Sequence, residues 1–279
     1  MKKLLATALA TLMVVSLAAC GGAASSSSAA ASAASSTSEA ASASAAGGKL
    51  DAIKQAGKLV MLTNAEVPPF EYLGEGGAVS GVDVDLAQLV ADELGVELEI
   101  VNMDFDLLIE AMNSGKGDIV AAGMSITEER KQQVDFSIPY VDTTILIVVP
   151  VGSTIASADD LAGKTIAVQE ATTSDLFVTD NVEAKEILRF KSAVEAGTTV
   201  TTGKADVAVL DKLTAQNVVD ATDGQLALLE EPVSQEQYAM ALPKGNEDLL
   251  ALVDEVLGKA VAADEVNALI AKHMALSNG

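Results

Sequence analysis

The chain of 279 residues sets 40 acidic against 17 basic side chains, a formal net charge of −23 at pH 7, with 49% hydrophobic residues, one cysteine and one histidine. Acidity on this scale repels phosphates and opposes nucleic-acid or anionic-membrane partners. A single cysteine excludes an internal disulfide, and His273, alone near the C-terminus, reads as a surface residue that leaves Ser-His-Asp chemistry without a seat.

Lys2 and Lys3 open the chain, and Leu4–Ala19 is an apolar run too short and too poorly flanked for a comfortable membrane span. With small Ala18 and Ala19 at its end, residues 1–19 read as a secretory signal peptide with a cleavage site. Leu17-Ala18-Ala19-Cys20 resembles the bacterial lipobox, which implies that the Cys20 sulfur receives a diacylglycerol and becomes the first residue of the mature protein. The alternative is an ordinary signal peptide with an incidental thiol. Once Cys20 is lipidated, no thiol remains for a metal site or for catalysis. Gly21 to Gly48 is almost entirely Ala, Ser and Gly, with nothing large to bury, so residues 20–48 are expected to form a lipidated cysteine and a flexible linker. The folded body is expected from Lys49.

In the body, strand-like and helix-like segments alternate. Lys58–Thr63 is a short apolar run suited to a buried strand, and Leu86, Leu89, Val90 and Leu94 mark a helix stopped by Gly95. Val96–Val101 follows as a strand, Phe105–Asn113 as a helix and Asp118–Ala122 as a strand. The rhythm resumes with strands at Lys164–Val168, Ile187–Phe190 and Ala205–Leu210, each followed by a helix, beginning after Thr173, at Ser192 and at Lys212. From Glu247 to Met274 the pattern is helical only. Such alternation predicts an α/β fold of mainly parallel sheets flanked by helices, here in two blocks separated near Tyr140–Val149.

Ligands of such sheets bind beyond the carboxyl ends of the strands. There the sequence places a stiff turn with Asn64, Val67, Phe70 and Tyr72; a stretch from Gly123 through Ser125 to Arg130; Gln169 with Thr172 and Thr173; and Asp211. An α-amino acid needs a fork of donors for its carboxylate and an anion for its ammonium. Arg130 can clamp a carboxylate, backbone N–H groups near Thr173 can add donors, and Asp211 can take the ammonium. Each residue also has a plainer reading. Arg130 pairs as well with Glu128 or Glu129 on a solvated turn, Asp211, Thr172 and Thr173 serve as helix N-caps, and Phe70 and Tyr72 serve as core or edge residues.

Taken together these segments resemble the extracellular solute-binding proteins of ABC importers for polar amino acids, over most of Leu50–Lys272. Gly81-Val82-Asp83-Val84-Asp85-Leu86-Ala87-Gln88-Leu89-Val90 is similar to that family's signature, with Val82 replacing a larger residue. Pro68-Pro69-Phe70-Glu71-Tyr72, Gly123–Arg130, Asp135-Phe136-Ser137, Ala205-Asp206 with Asp211, and Gln237-Tyr238-Ala239 with Pro243-Lys244-Gly245 recur in order. The resemblance implies two Rossmann-like lobes of the type II periplasmic-binding-protein kind, joined by a two-segment hinge. Lobe 1 would be 49–139 plus 240–279 and lobe 2 would be 140–239, with crossovers near 140–144 and 235–239. It also implies a monomer without metal or cofactor that hands an amino acid to a membrane permease.

Carried over, the resemblance puts Arg130 on the ligand carboxylate with help from Ser125, Thr172 and Thr173. The Gly123 carbonyl and Asp211 would hold the ammonium, while Asn64, Phe105 and Gln169 face the ligand side chain. Val67 stands where many relatives carry Tyr or Phe; without that ring a cationic side chain loses a π surface, which favours a neutral polar or aliphatic amino acid. Ala171 replaces a usual glycine, a change that is harmless if its φ is negative. The rival expectations are a dehydratase on the same fold, with Glu66 or Glu170 as acid or base, and a ligand-sensing surface module.

Overall fold

The computed structural model describes residues 48–277. The expectations for the signal peptide, Cys20 and the linker up to residue 47 lie outside the described residues.

The N-terminal half builds the first sheet. Helix α1 (Lys49–Ala56) ends on Gly57 in the left-handed conformation and turns directly into β1 (Lys58–Thr63). Three very short strands follow, β2 (Glu66–Val67), β3 (Glu71–Leu73) and β4 (Val79–Ser80), pairing antiparallel as a small sheet of their own. Helix α2 (Val82–Leu94) starts at Gly81, where a Cβ would overlap the Phe70 carbonyl; only glycine lets the helix begin this close to the β2–β3 turn. Leu86, Val90 and Leu94 form its buried face. The chain continues through β5 (Glu97–Asn102), α3 (Leu108–Asn113), β6 (Ile119–Val120), the short α4 (Glu128–Lys131) and β7 (Val134–Phe136). A single 3-10 turn at Phe105–Leu107 precedes α3, so the helix expected over 105–113 is split.

The second sheet begins at β8 (Val141–Pro150) and takes in β9 (Thr165–Gln169), α5 (Thr173–Asn181), β10 (Glu186–Phe190), α6 (Ala193–Thr199), β11 (Val207–Asp211), α7 (Lys212–Asp220), β12 (Leu226–Leu228) and β13 (Ser234–Tyr238). The chain then returns to the first sheet with β14 (Ala241–Pro243) and closes with α8 (Glu247–Ala262) and α9 (Glu265–Ser277), which pack on α2.

Strand order is β5-β1-β6-β14-β7 in the first sheet and β10-β9-β11-β8-β12 in the second, with β13 also paired to β8. Each sheet is thus a parallel trio, centred on β1 or β9, extended by antiparallel strands. The strands that run against each trio, β14 and β8, are the ones the chain enters first after each passage between sheets, without a helical crossover to reverse it. In each trio the chain runs from the central strand to one neighbour and then crosses to the other side, making a switch point at the carboxyl end of the central strand. For β1 that end is Thr63–Asn64; for β9 it is Gln169–Thr173.

One apolar cluster runs through both sheets and includes Phe70, Tyr140, Val141 and Tyr238, the residues nearest the two chain passages. His273, expected on the surface, is instead 3% exposed between the Tyr72 hydroxyl at 3.0 Å and an Asp85 carboxylate oxygen at 2.9 Å. Packing of α9 on α2 covers the imidazole, and both ring nitrogens find partners, as burial demands. Its role is to tie the last helix down.

Candidate functional site

The two switch points face each other across a narrow cavity lined by Val67, Phe105, Ala122, Gly123, Ser125, Arg130, Gln169, Thr172, Thr173 and Asp211. Of the residues expected at a site, all but Asn64 and Phe70 line it. Asn64 sits one layer out, its side-chain carbonyl accepting from Gln169 Nε2 at 2.7 Å across the two sheets. Phe70 is fully buried with its ring edge-on to Tyr238 at 4.9 Å, so it supports the cavity from behind and presents no face to a ligand.

Arg130 belongs to α4, a one-turn helix whose start is fixed by the Thr127 hydroxyl accepting the Arg130 N–H. The guanidinium does not reach out to the neighbouring glutamates; it turns inward and is 8% exposed. It donates to the Ser125 carbonyl at 2.8 Å and, across the cavity, to the Ala171 carbonyl at 3.2 Å, with the Phe105 ring 5.3 Å beneath it. Burial pulls its pKa down from the ordinary arginine value, and Glu236 and Asp211 oppose that pull. Glu128 pairs with Lys131 instead.

Ala171 has φ +62°, so the condition under which alanine would be harmless there is not met. The turn keeps the left-handed conformation that glycine would adopt freely, and alanine holds it at a cost of about 1–2 kcal/mol. Two bonds hold the turn: its N–H donates to Asp175 at 3.1 Å and its carbonyl accepts from Arg130. Thr172 is a true cap of α5, its hydroxyl accepting the Asp175 N–H at 3.4 Å, and its own proton goes to the Gln169 carbonyl.

Asp211 stands at the N-cap position of α7 but its side chain makes no capping bond, and its buried Oδ1 meets no partner. Burial pushes its pKa up to about 7, with Glu236 adding to the rise and Tyr238 and Arg130 tempering it. Behind Gly123 lie further buried acids. Asp83, from the Gly81–Val90 signature, accepts the Gly123 N–H at 2.7 Å and the Tyr140 hydroxyl at 2.8 and 2.9 Å, and burial lifts it to about 6. Glu71 is buried with neither carboxyl oxygen in a sound hydrogen bond; burial first, then neighbouring Asp83, pushes its pKa well above the carboxylate range. Gly123, at φ +52°, holds a conformation that strains any side chain, and a Cβ there would press on the Tyr238 ring at 3.3 Å.

Two residues went unread in the sequence. Glu236, on β13, accepts from the Ser125 and Thr173 hydroxyls, the latter at 2.8 Å. Lys191, following β10, spans the mouth of the cleft from Glu170 at 2.9 Å to Asp106 at 2.8 Å and Asp104 at 3.4 Å, and these contacts raise its pKa. Both lie in polar, half-exposed stretches that carry no pattern beyond ordinary surface.

Comparisons with known proteins give the family in which this cavity is set. Residues 59–275 match the model of the bacterial extracellular solute-binding proteins, family 3. The chain belongs to that family. It is 31% identical over 227 residues to the L-cystine-binding protein TcyJ of Escherichia coli K12, covering 81% of this chain and 85% of that protein. Among solved structures, it is similar to the arginine-bound form of truncated ArgBP from T. maritima, with 42% identity, a TM-score of 0.70, and coverage of 75% of this chain and 99% of that one. It is also similar to the ancestral amino acid-binding protein AncCDT-1, a precursor of cyclohexadienyl dehydratase, with 33% identity, a TM-score of 0.75, and coverage of 82% and 100%. This family 3 protein therefore has the two-lobed periplasmic-binding-protein architecture and acts outside the cytoplasm. No helix among the described residues is long and apolar enough to cross a membrane.

Proposed function

We propose that this family 3 protein captures a free amino acid between its lobes and delivers it to an ABC permease, acting as a monomer tethered to the membrane through lipidated Cys20 and its Ala/Ser linker. The observation that carries this reading is the pair on the cavity wall: a buried, planar guanidinium at Arg130 and a buried carboxylate at Asp211, whose Oδ1 makes no hydrogen bond of sound geometry although the Tyr238 hydroxyl lies beside it. In this reading Arg130 and the α5 N–H groups hold the carboxylate, Asp211 and the Gly123 carbonyl take the ammonium, and Gln169 with Phe105 and Val67 borders the side chain. The lobe limits are set at 49–139 plus 240–279 and at 140–239. They are supported by the chain passing from one sheet to the other between β7 and β8 and back between β13 and β14. Closure would follow by rotation about those two segments.

A neutral amino acid fits best. Val67 offers no ring, and the Phe105 face is already covered by Arg130 itself, so neither wall gives a cationic side chain a π surface. The ligands named for the relatives, cystine and arginine, make the charged alternatives worth including in any screen. Likeness to the dehydratase precursor favours catalysis as a second reading, but Glu170 is tied to Lys191 and neither it nor Glu66 lines the cavity. Asp211 is the one acid there, and binding accounts for it.

The test is thermal unfolding of the protein against the common amino acids. A ligand at about a hundredfold its Kd adds about 2.7 kcal/mol of stability; no shift with any of them would sink the proposal.

A further inference from the structure

Glu71 is a buried acid outside the cavity, and ligand capture makes no use of it. It opens β3, is fully buried, and neither of its carboxyl oxygens makes a hydrogen bond of sound geometry. Its titratable neighbours come from four elements. Asp83 on α2 lies within hydrogen-bonding reach, and Asp211 at the end of β11 acts on it from further off. Tyr140, just before β8, and Tyr238, at the end of β13, complete the set, and burial keeps both phenols protonated. None of these brings a positive charge, so an ionised Glu71 would be a buried anion among acids.

Asp83 shows where a proton on Glu71 would go. Its carboxylate already accepts from the Gly123 N–H at 2.7 Å and from the Tyr140 hydroxyl at 2.8 and 2.9 Å. It stands in the first turn of α2, where the helix dipole favours an anion. Two adjacent carboxylates in a dry site do not both stay ionised. Asp83, with donors on it, keeps the charge. An ionised carboxyl only accepts hydrogen bonds, whereas a protonated one has an O–H to give. A proton on Glu71 therefore turns two opposed acceptors into a donor and an acceptor.

We propose that Glu71 is a positioning residue that stays protonated and donates its O–H to Asp83, so that the pair carries one negative charge and Asp83 holds Gly123 and Tyr140 in place. Gly123 lines the cavity, and Tyr140 lies on the chain passage from the first sheet to the second. The Tyr140 N–H in turn donates to the Tyr238 carbonyl at 3.0 Å, on the return passage. One proton thus fastens the back of the cavity to both passages, whichever ligand the cavity takes.

Three measurements on wild type, Glu71→Gln and Glu71→Leu test this. Infrared spectra at about pH 8, where ordinary carboxyls are ionised, should show a carboxylic-acid C=O band in wild type that is lost in Glu71→Gln. Asp211, near 7, leaves a minor acid signal common to both. In stability against pH, Glu71 ionises in the unfolded chain but keeps its proton in the folded one. Above about pH 5 the wild-type unfolding constant should therefore rise relative to Glu71→Gln, approaching tenfold per pH unit until the folded protein also loses the proton. Third, the Gly123 amide resonance should report Asp83 with a midpoint near 6 in wild type and in Glu71→Gln, whose amide still donates. Glu71→Leu removes the donor and should raise that midpoint by about one unit.

No acid band in wild type, a band that survives in Glu71→Gln, equal pH dependence of stability in those two proteins, or an unmoved midpoint in Glu71→Leu each overturns the proposal. If neither variant folds, Tyr140→Phe decides: taking one donor from Asp83 should strengthen the bond from Glu71 and shift the acid band, and an unmoved band overturns the proposal. Failure of every amino acid to bind would leave all of these results standing.

Discussion

The two ends of the cavity are built by opposite means. At one end, Arg130 is held by two carbonyls, a ring and a helix cap, so its geometry is set before any ligand arrives. At the other, Asp211 Oδ1 and the Tyr238 hydroxyl are buried without a sound hydrogen bond. Unpaired buried polar groups cost free energy, and a ligand ammonium would recover part of it. One end supplies geometry and the other supplies driving force, which is how a small cavity can be both selective and tight.

Removing the preset end should do the most damage. Arg130→Ala leaves a ligand carboxylate unpaired and is expected to weaken binding by about 2–5 kcal/mol in calorimetry. Arg130→Lys, lacking the planar fork, should fall between. Near-wild-type affinity in both variants would return Arg130 to the status of a buried structural ion.

The Asp211 end should announce itself through pH. Asp211 stands near 7 in the free protein, and a docked ammonium favours its anion, so a proton leaves on binding. Affinity is then flat at higher pH and falls as pH drops through about 7, approaching tenfold per unit. Tyr238, Glu236 and Arg130 face Asp211 and set its midpoint, while Asp83, near 6 behind Gly123, shapes the lower part of the curve. Asp211→Asn should weaken binding above about pH 7 and flatten the slope below it. A titration series with the same slope in the variant would take the ammonium away from Asp211.

The smallest expected effect sharpens the picture of the Arg130 end. Ala171→Gly should relieve the left-handed backbone at φ +62° and raise stability by about 0.5–1 kcal/mol, after the entropy that glycine loses on folding. Thermal unfolding checks this, and a lower melting temperature would mean the turn is not strained.

Much of this was legible in the sequence because it depends on local pattern. The strand over Lys58–Thr63, the helix halted at Gly95 and the helix start at Ser192 all follow from apolar spacing and turn residues, and the structure has each of them. The rule that ligands gather beyond strand ends then led to Arg130, Gln169, Thr173 and Asp211. What stayed hidden depends on three-dimensional packing. Strands β2 to β4 are two or three residues long and carry no periodicity. Glu236 alternates with exposed Gln235 and Gln237 and reads as any edge-strand acid until Ser125 and Thr173 are brought against it. His273 becomes a core residue only when α9 lies on α2. Phe70 had two readings, and its contact with Tyr238 decided between them.

Lys191 carries one more consequence. Its ammonium joins Glu170, on its own side of the cleft, to Asp104 and Asp106 on the other, and all four side chains are partly open to solvent. Contacts of that kind are individually weak and fade as dissolved ions accumulate. The mouth of the cleft is thereby coupled to the saltiness of the surroundings. For a protein whose family works outside the cytoplasm, where ionic strength is not held constant, the rate at which cargo escapes should follow the medium while the chemistry of the cavity stays the same.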